Sequence, residues 1–393
     1  MNSARYDFET LIDRTGTGSY KWESMREANP CVPEGTVPVS VADLDLPLAP
    51  EIRDGLIDYL NSGVLGYTHP HDGFLTAIQN WCERRHDWAI QSEWIAPVPG
   101  VVTGMYASIR AASAPGDGII LMTPAYPPMF DAIGGTGRRL RDVPLLFEDG
   151  RYSIDLDQVA RAAREEGTTA LLLCSPHNPT GRVWTRAELE ALAAIAREHN
   201  LTVISDDIHW DLVHEGHTHI PFPTLGSDAA ERTIVLSAPS KTFNIPGLVT
   251  SYALIPSPDL RARFTAELAA WGFHFLPSIG ITATDIAYTS GEGWLDAFLD
   301  FVAHNDRMSR AFFAAHFPEV VIPPLEGTYL QWLDFRALGI APAELARIHR
   351  EEACAFFDDG ARFGGPGFER LNLGTPTRSL EAILERLRRA HGR

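Results

Sequence analysis

Between about positions 51 and 255 the chain alternates short, almost wholly apolar runs with segments of helical period. Five runs stand out: GIILMTP (118–124), TALLLCS (169–175), LTVISDD (201–207), TIVLSAP (233–239) and VTSYALI (249–255). A strand with one wet face alternates apolar and polar residues, so unbroken runs of this length describe strands covered on both faces. The interleaved stretch TRAELEALAAIAREHN (185–200) has the other period. Thr185 caps it, Glu188 completes a capping box, and Leu189, Leu192, Ala193 and Ala196 form an inner stripe. Strands alternating with helices give an α/β fold, a mainly parallel sheet with helices on both faces.

The alternation stops near position 281. Beyond it come helix-rich segments and two further strand patterns, GTYLQWLDF (327–335) and FERLNLG (368–374). The expected division is an N-terminal Pro- and Gly-rich arm (1–47) that completes the small domain, a large domain (48–285) and a smaller α+β C-terminal domain (286–393). At 393 residues and 45% hydrophobic composition the chain has room for two cores. With 51 acids against 33 bases, its surface is unsuited to nucleic acid or an anionic membrane. Its four cysteines show no C-x-x-C pair, the opening MNSARYDFET has no apolar core, and no apolar run approaches the ~20 residues of a membrane span. A cytoplasmic protein with free thiols is the expectation.

In open α/β sheets ligands sit beyond the carboxyl ends of the strands. Three polar residues fall there: Asn178 after LLLCS, Asp206 at the end of LTVIS, and Lys241 shortly after TIVLS. Singly, each has a structural explanation: a turn asparagine, a helix cap, a solvated lysine. Together, in order and at strand ends, they outline a site. The stretch PVPGVVTGMYASIRAA (97–112) adds a glycine turn into a helix, whose free N–H groups suit an anion.

The segments SPHNPTGRVW (175–184), SDDIHWDLV (205–213), APSKTFNIPGL (238–248) and EGTYLQWLDFR (326–336) resemble fold-type I pyridoxal-phosphate enzymes of the aminotransferase class I/II superfamily. Within it they are most similar to the cystathionine β-lyase (C–S lyase) branch. The likeness extends from YKWES (20–24) and VADLDLPLAP (41–50) to FERLNLGTP (368–376). It implies a seven-stranded sheet and pyridoxal 5′-phosphate held covalently by Lys241. Asp206 would face the pyridine nitrogen and Asn178 the ring O3′. Tyr126 would stack on the ring, with His209 where relatives often carry tyrosine. The phosphate would fall to the backbone of Val101 and Val102 and to Ser240. Tyr67 would reach the neighbouring subunit's cofactor, which implies a homodimer with shared sites and makes Tyr67 a catalytic candidate beside Lys241. Arg370 would grip the substrate α-carboxylate, with Asn178, Ser40 and Ala42 on the substrate side.

The implied reaction is β-elimination, in which cystathionine or another S-substituted L-cysteine yields a thiol, pyruvate and ammonia. An aminotransferase and a non-catalytic regulator on the same fold are the alternatives. The chain departs from the branch at Ser40, where an aromatic is usual, and at Asp207 and Pro246, and it lacks the arginine that many relatives in the superfamily carry shortly after the lysine. The departure at Ser40 suggests a pocket open to bulkier S-conjugates. The histidines of HWDLVHEGHTHI (209–220) fit no zinc spacing, so no metal is expected.

Overall fold

The computed structural model describes residues 6–393. A seven-stranded sheet is built from β1 (Ile95–Val98), β2 (Gly118–Thr123), β3 (Arg139–Pro144), β6 (Thr168–Cys174), β7 (Thr202–Asp206), β8 (Thr233–Ser237) and β9 (Ser251–Leu254). A hairpin, β4 (Leu146–Glu148) and β5 (Arg151–Ser153), stands apart. The order across the sheet is β1-β9-β8-β7-β6-β2-β3, with β9 antiparallel to both its neighbours and the remaining pairs parallel.

The unbroken apolar runs are explained by two cores on opposite faces. Ile119, Leu121, Ala170, Leu172 and Ile204 pack with Met105, Ala107 and Ile109 of the helix Val101–Ala112. The residues between them, Ile120, Met122, Leu171, Leu173 and Val203, pack on the other face with Leu189, Leu192 and Ala196 of the helix Arg186–Glu198. Each of these leucine, isoleucine, valine and methionine side chains contributes roughly 1.5–3 kcal/mol on burial, so the centre of the sheet is the rigid part. The capping box forms between Thr185 and Glu188, while Ala193 is only half-buried.

The edge strands β1 and β3 had no clear apolar signature. β1 carries Pro97, and β3 reads RLRDVP with mostly exposed side chains, because an edge strand needs fewer buried residues. The division expected at 285/286 falls inside the continuous helix Ser278–Ser290, so the chain passes to the next helix, Glu292–His316, only after Gly291.

A second sheet has the order β10 (Leu330–Asp334), β12 (Phe368–Asn372), β11 (Asp358–Asp359), all antiparallel. The N-terminal arm joins it. Val39 N donates to Phe356 O at 3.1 Å, Asn372 N donates to Val39 O at 2.9 Å, and the Asn372 amide reaches the carbonyls of Val41 and Asp43, each at 2.8 Å. Lys21 anchors the same stretch through Asp45 at 2.7 Å and Asp43 at 3.1 Å. All four cysteines are unpaired, and among the described residues no helix is long and apolar enough to cross a membrane.

Candidate active site

The carboxyl ends of β6, β7 and β8 open into a cavity of about 520 Å³, within the range of small-molecule sites. Asn178, Asp206, Ser240 and Lys241 line it from the sheet, and Gly100, Val101, Val102 and Tyr126 from the loops after β1 and β2. Val41 and Ala42 of the arm and Asp358, Arg362, Phe363 and Arg370 of the smaller sheet close the opposite side. Residues scattered over more than 300 positions thus share one wall, and the arm-to-β12 hydrogen bonds explain why.

Lys241 sits in the short helix Pro239–Thr242, and its amine donates to Ala42 O at 2.7 Å. Enclosure by protein lowers its pKa to about 8, against a smaller opposing pull from Asp43. Asp206 is buried at the end of β7, where the strand's last residue reaches the site. Its carboxylate accepts one long bond, from Ile208 N at 3.3 Å. Burial pushes it up to about 7, and Asp207 adds to the rise. A carboxylate so enclosed calls for a cationic donor.

Asn178 and Arg370 meet directly, Arg370 Nη1 donating to Asn178 Oδ1 at 2.8 Å. Arg370 also donates to Asp358 Oδ2 from Nη2 at 2.6 Å and from Nε at 3.1 Å, and Phe363 lies against its guanidinium at 4.7 Å. Three of the five N–H groups are thereby engaged, leaving one on each terminal nitrogen. β11 pairs with β12 so that Asp358 lies opposite Arg370.

Gly100, at φ 93°, turns the chain into the helix Val101–Ala112. The first bond back onto this turn is Gly104 N to Gly100 O at 3.1 Å, so the N–H groups of Val101, Val102 and Thr103 have no intrahelical partner. Ser240 brings a hydroxyl to the same cavity. Tyr126 is half-buried, its pKa raised by desolvation. His209 is buried on the wall with Nδ1 unpartnered among the described residues, and burial keeps it neutral, reinforced by Lys241 and Arg370.

Two expected residues lie elsewhere. Ser40 is half-buried but off the wall. Its segment is held along the smaller sheet by Val39 and by Val41 N donating to Asp358 Oδ2 at 2.9 Å, and only Val41 and Ala42 reach the cavity. In this single chain Ser40 itself does not line the cavity. Tyr67 is 91% exposed, near Phe275 at 5.1 Å, and does not line this chain's cavity. Asp207 faces away from the cavity chemistry: it accepts from Ser205 Oγ and from His219 Nε2, the latter at 3.0 Å. His214 is spent on Thr328 O at 2.8 Å, and no group of three or more potential ligands among the described residues could hold a metal.

Asp358 and Arg362 carried no readable signal. The acid lies in a two-residue strand, and its roles come from its register opposite Arg370 and from accepting Val41 N of the arm.

The sequence pattern described as aminotransferase class I and II matches residues 36–387. The chain belongs to that family. Two relatives are similar along nearly their whole length. Cystathionine beta-lyase PatB of Bacillus subtilis (strain 168) is 36% identical, over 98% of this chain and 99% of that one. Protein MalY of Escherichia coli (strain K12) is 34% identical, over 96% of each. Among solved structures, cystalysin from Treponema denticola, which contains a pyridoxal 5′-phosphate cofactor, superposes with a TM-score of 0.97 at 40% identity, over 98% of this chain and 99% of that one. The fold is that of fold-type I pyridoxal-phosphate enzymes.

Proposed function

We propose that the chain is a pyridoxal-phosphate-dependent carbon–sulfur β-lyase. It cleaves the Cβ–S bond of cystathionine or another S-substituted L-cysteine and, with one water, yields a thiol, pyruvate and ammonia. The observation that carries this reading is the amine of Lys241, with its pKa near 8, in one cavity with the under-partnered Asp206 and the half-free Arg370. Whole-length similarity to PatB supports the lyase branch over transamination.

The donor set fits the cofactor. Asp206, short of a cationic partner, suits a protonated ring nitrogen, and the Asn178 amide NH2, without a protein partner among the described residues, suits O3′. The helix start at Val101–Thr103 and the Ser240 hydroxyl suit a phosphate that has no arginine after the lysine. Tyr126 offers a ring face, and neutral His209 closes the wall without adding charge. When bound, the cofactor withdraws electron density from Cα, which acidifies the α-proton and lets a thiolate leave Cβ.

The remaining work falls to side chains. Lys241 holds the cofactor and, once released by the substrate amine, takes the Cα proton on Nζ. Ala42 O fixes the direction of that amine. Arg370 presents its two free N–H groups to the α-carboxylate, a fork that lysine cannot reproduce. Asp358 and Asn178 hold the fork in place.

The active unit is a homodimer in which Tyr67 of a second copy completes the phosphate site. In the single chain Val64, Leu65 and Tyr67 are 83%, 67% and 91% exposed, a run of apolar surface that an isolated protein seldom leaves in water. Four unpaired thiols support a reducing, cytoplasmic setting.

The test is pyruvate release from L-cystathionine by the purified holoprotein with no keto acid added. Turnover that requires a keto-acid acceptor identifies an aminotransferase, and cofactor binding without turnover identifies a non-catalytic protein. Lys241→Ala abolishes pyruvate release if the reading is right.

A further inference from the structure

One cation on the cavity wall has no part in the reaction above. Arg362 lines the same cavity as Tyr126, Asp358 and Arg370, yet its guanidinium has no hydrogen bond or ion pair with any described residue. That is conspicuous in a chain with 51 acids and 33 bases. Arg370 is matched by Asp358 at 2.6 Å. The acid nearest Arg362 in sequence, Asp359, is committed elsewhere: its Oδ1 accepts from Ala361 N at 2.9 Å, and it lies 4.0 Å from Arg350.

The backbone that carries Arg362 is fixed on both sides. It belongs to the 3-10 turn Gly360–Phe363, which Asp359 caps and which Gly365 N closes onto Gly360 O at 2.8 Å. The turn lies flush on β12, for a Cβ at Gly360 would come within 2.3 Å of Phe368 O. Ala125 N donates to Phe363 O at 2.9 Å, which stitches the turn to the loop bearing Tyr126. Phe363 in turn backs the Arg370 guanidinium. Arg362 is therefore one residue from the ring that supports the α-carboxylate fork, on a turn hydrogen-bonded at both ends.

An exposed, unpaired guanidinium on a rigid mount beside a second arginine is suited to a second carboxylate. We infer that Arg362 selects S-substituted cysteines whose S-substituent ends in a carboxylate, binding that distal group while Arg370 binds the α-carboxylate. This deepens the lyase reading and rests on it for the substrate class. Cystathionine carries such a distal carboxylate, and simple S-alkyl cysteines do not.

The experiment compares S-(2-carboxyethyl)-L-cysteine with its near-isosteric amide, S-(2-carbamoylethyl)-L-cysteine. Dissociation constants are read from the change in the holoprotein's visible absorption on titration, in wild type, Arg362→Ala and Arg362→Lys. Wild type should bind the carboxylate about tenfold more tightly than the amide, as a charge-assisted pair at a partly exposed position allows. Arg362→Ala should erase the preference and Arg362→Lys should keep part of it. Equal affinities in wild type, parallel weakening of both ligands in Arg362→Ala, or release of cofactor from that variant would overturn the inference. The last outcome would make Arg362 a phosphate ligand instead. Pyruvate is scored separately, so absent turnover counts against the lyase reading while the dissociation constants still decide Arg362.

Discussion

Arg370 donates to the side-chain oxygen of Asn178 at 2.8 Å, so the proposed carboxylate binder and the proposed cofactor contact are one hydrogen-bonded unit. That bond fixes the Asn178 flip, with its oxygen toward the arginine and its NH2 left for a cofactor oxygen. The unit crosses from β12 of the smaller sheet to the loop after β6 of the larger one, and Asp358 holds its far end. Asp358→Asn keeps the size but weakens the pairing, so Arg370 should lose its aim before its presence. The expected outcome is a KM for cystathionine raised about tenfold with kcat within about threefold, whereas Arg370→Ala should raise KM about a hundredfold or more. Initial-rate kinetics on both variants check this, and equal effects would mean that Asp358 does not orient the arginine.

The cofactor-free protein should be least stable near pH 7–8 as far as its two site charges are concerned. Asp206 sits at about 7 against 3.8 ordinarily, so between those values the folded state binds the extra proton and stability falls as pH rises. Lys241 sits at about 8 against 10.5, so between those values the unfolded state binds the extra proton and stability rises with pH. Both penalties coincide in the gap. Asp206→Asn removes the acid limb, and the cofactor-free variant should melt a few degrees higher than the cofactor-free wild type at pH 7, for roughly 2–4 kcal/mol of relieved burial. The same variant should lose about a hundredfold or more in pyruvate release. Scanning calorimetry from pH 4 to 10 reads the first effect, and an unchanged melting profile would contradict it.

Tyr67 is the residue whose proposed role one chain cannot express. If it serves a second copy's site, a Tyr67→Ala chain and a Lys241→Ala chain are each defective in both sites of their own homodimers. Mixed dimers regain one site that has both residues. Unfolding and refolding the two variants together at equal amounts should restore roughly a quarter of wild-type activity, since about half of random dimers are mixed and each holds one complete site. Recovery no greater than the sum of the separate variants would show that Tyr67 acts within its own chain or not at all.

The site was legible where local pattern and topology agree. Asn178, Asp206 and Lys241 each follow an apolar run, and in a parallel sheet that position alone sends them to one end. Arg370 was readable only by resemblance, because an arginine in an antiparallel strand has no such vector. Asp358 and Arg362 were not readable at all. Their setting, a two-residue strand and a 3-10 turn, is created by pairing with β12 and by the arm, contacts made across more than 300 positions in the case of Val41 and Asp358. Ser40 shows the converse: a familiar motif placed it at the site, and the backbone bonds of Val39 and Val41 hold it off the wall.

Asp211, which lies within SDDIHWDLV, should prove a structural support of the catalytic lysine. It is buried and accepts from Trp81 Nε1 at 2.9 Å, His86 Nε2 at 2.8 Å and Thr242 Oγ1 at 2.7 Å. Burial alone would raise its pKa, yet His86, Thr242 and Trp81 together hold it below the usual carboxylate value, so it is ionised at neutral pH. Thr242 follows Lys241 in a helix of four residues, so this carboxylate holds the lysine's segment from below, alongside Ile245 N on Ser240 O at 3.0 Å and the Asn244 amide on Leu44 O at 3.0 Å. Asp211→Ala strands three buried donors and should cost about 3–5 kcal/mol, read as a lower urea midpoint with unchanged slope. Thr242→Val removes one donor in nearly the same volume and should cost only about 1–2 kcal/mol while lowering kcat about tenfold with little change in KM. A Thr242→Val enzyme with wild-type kcat would mean that the lysine is held by its own strand and cavity contacts, and that Asp211 serves the core alone.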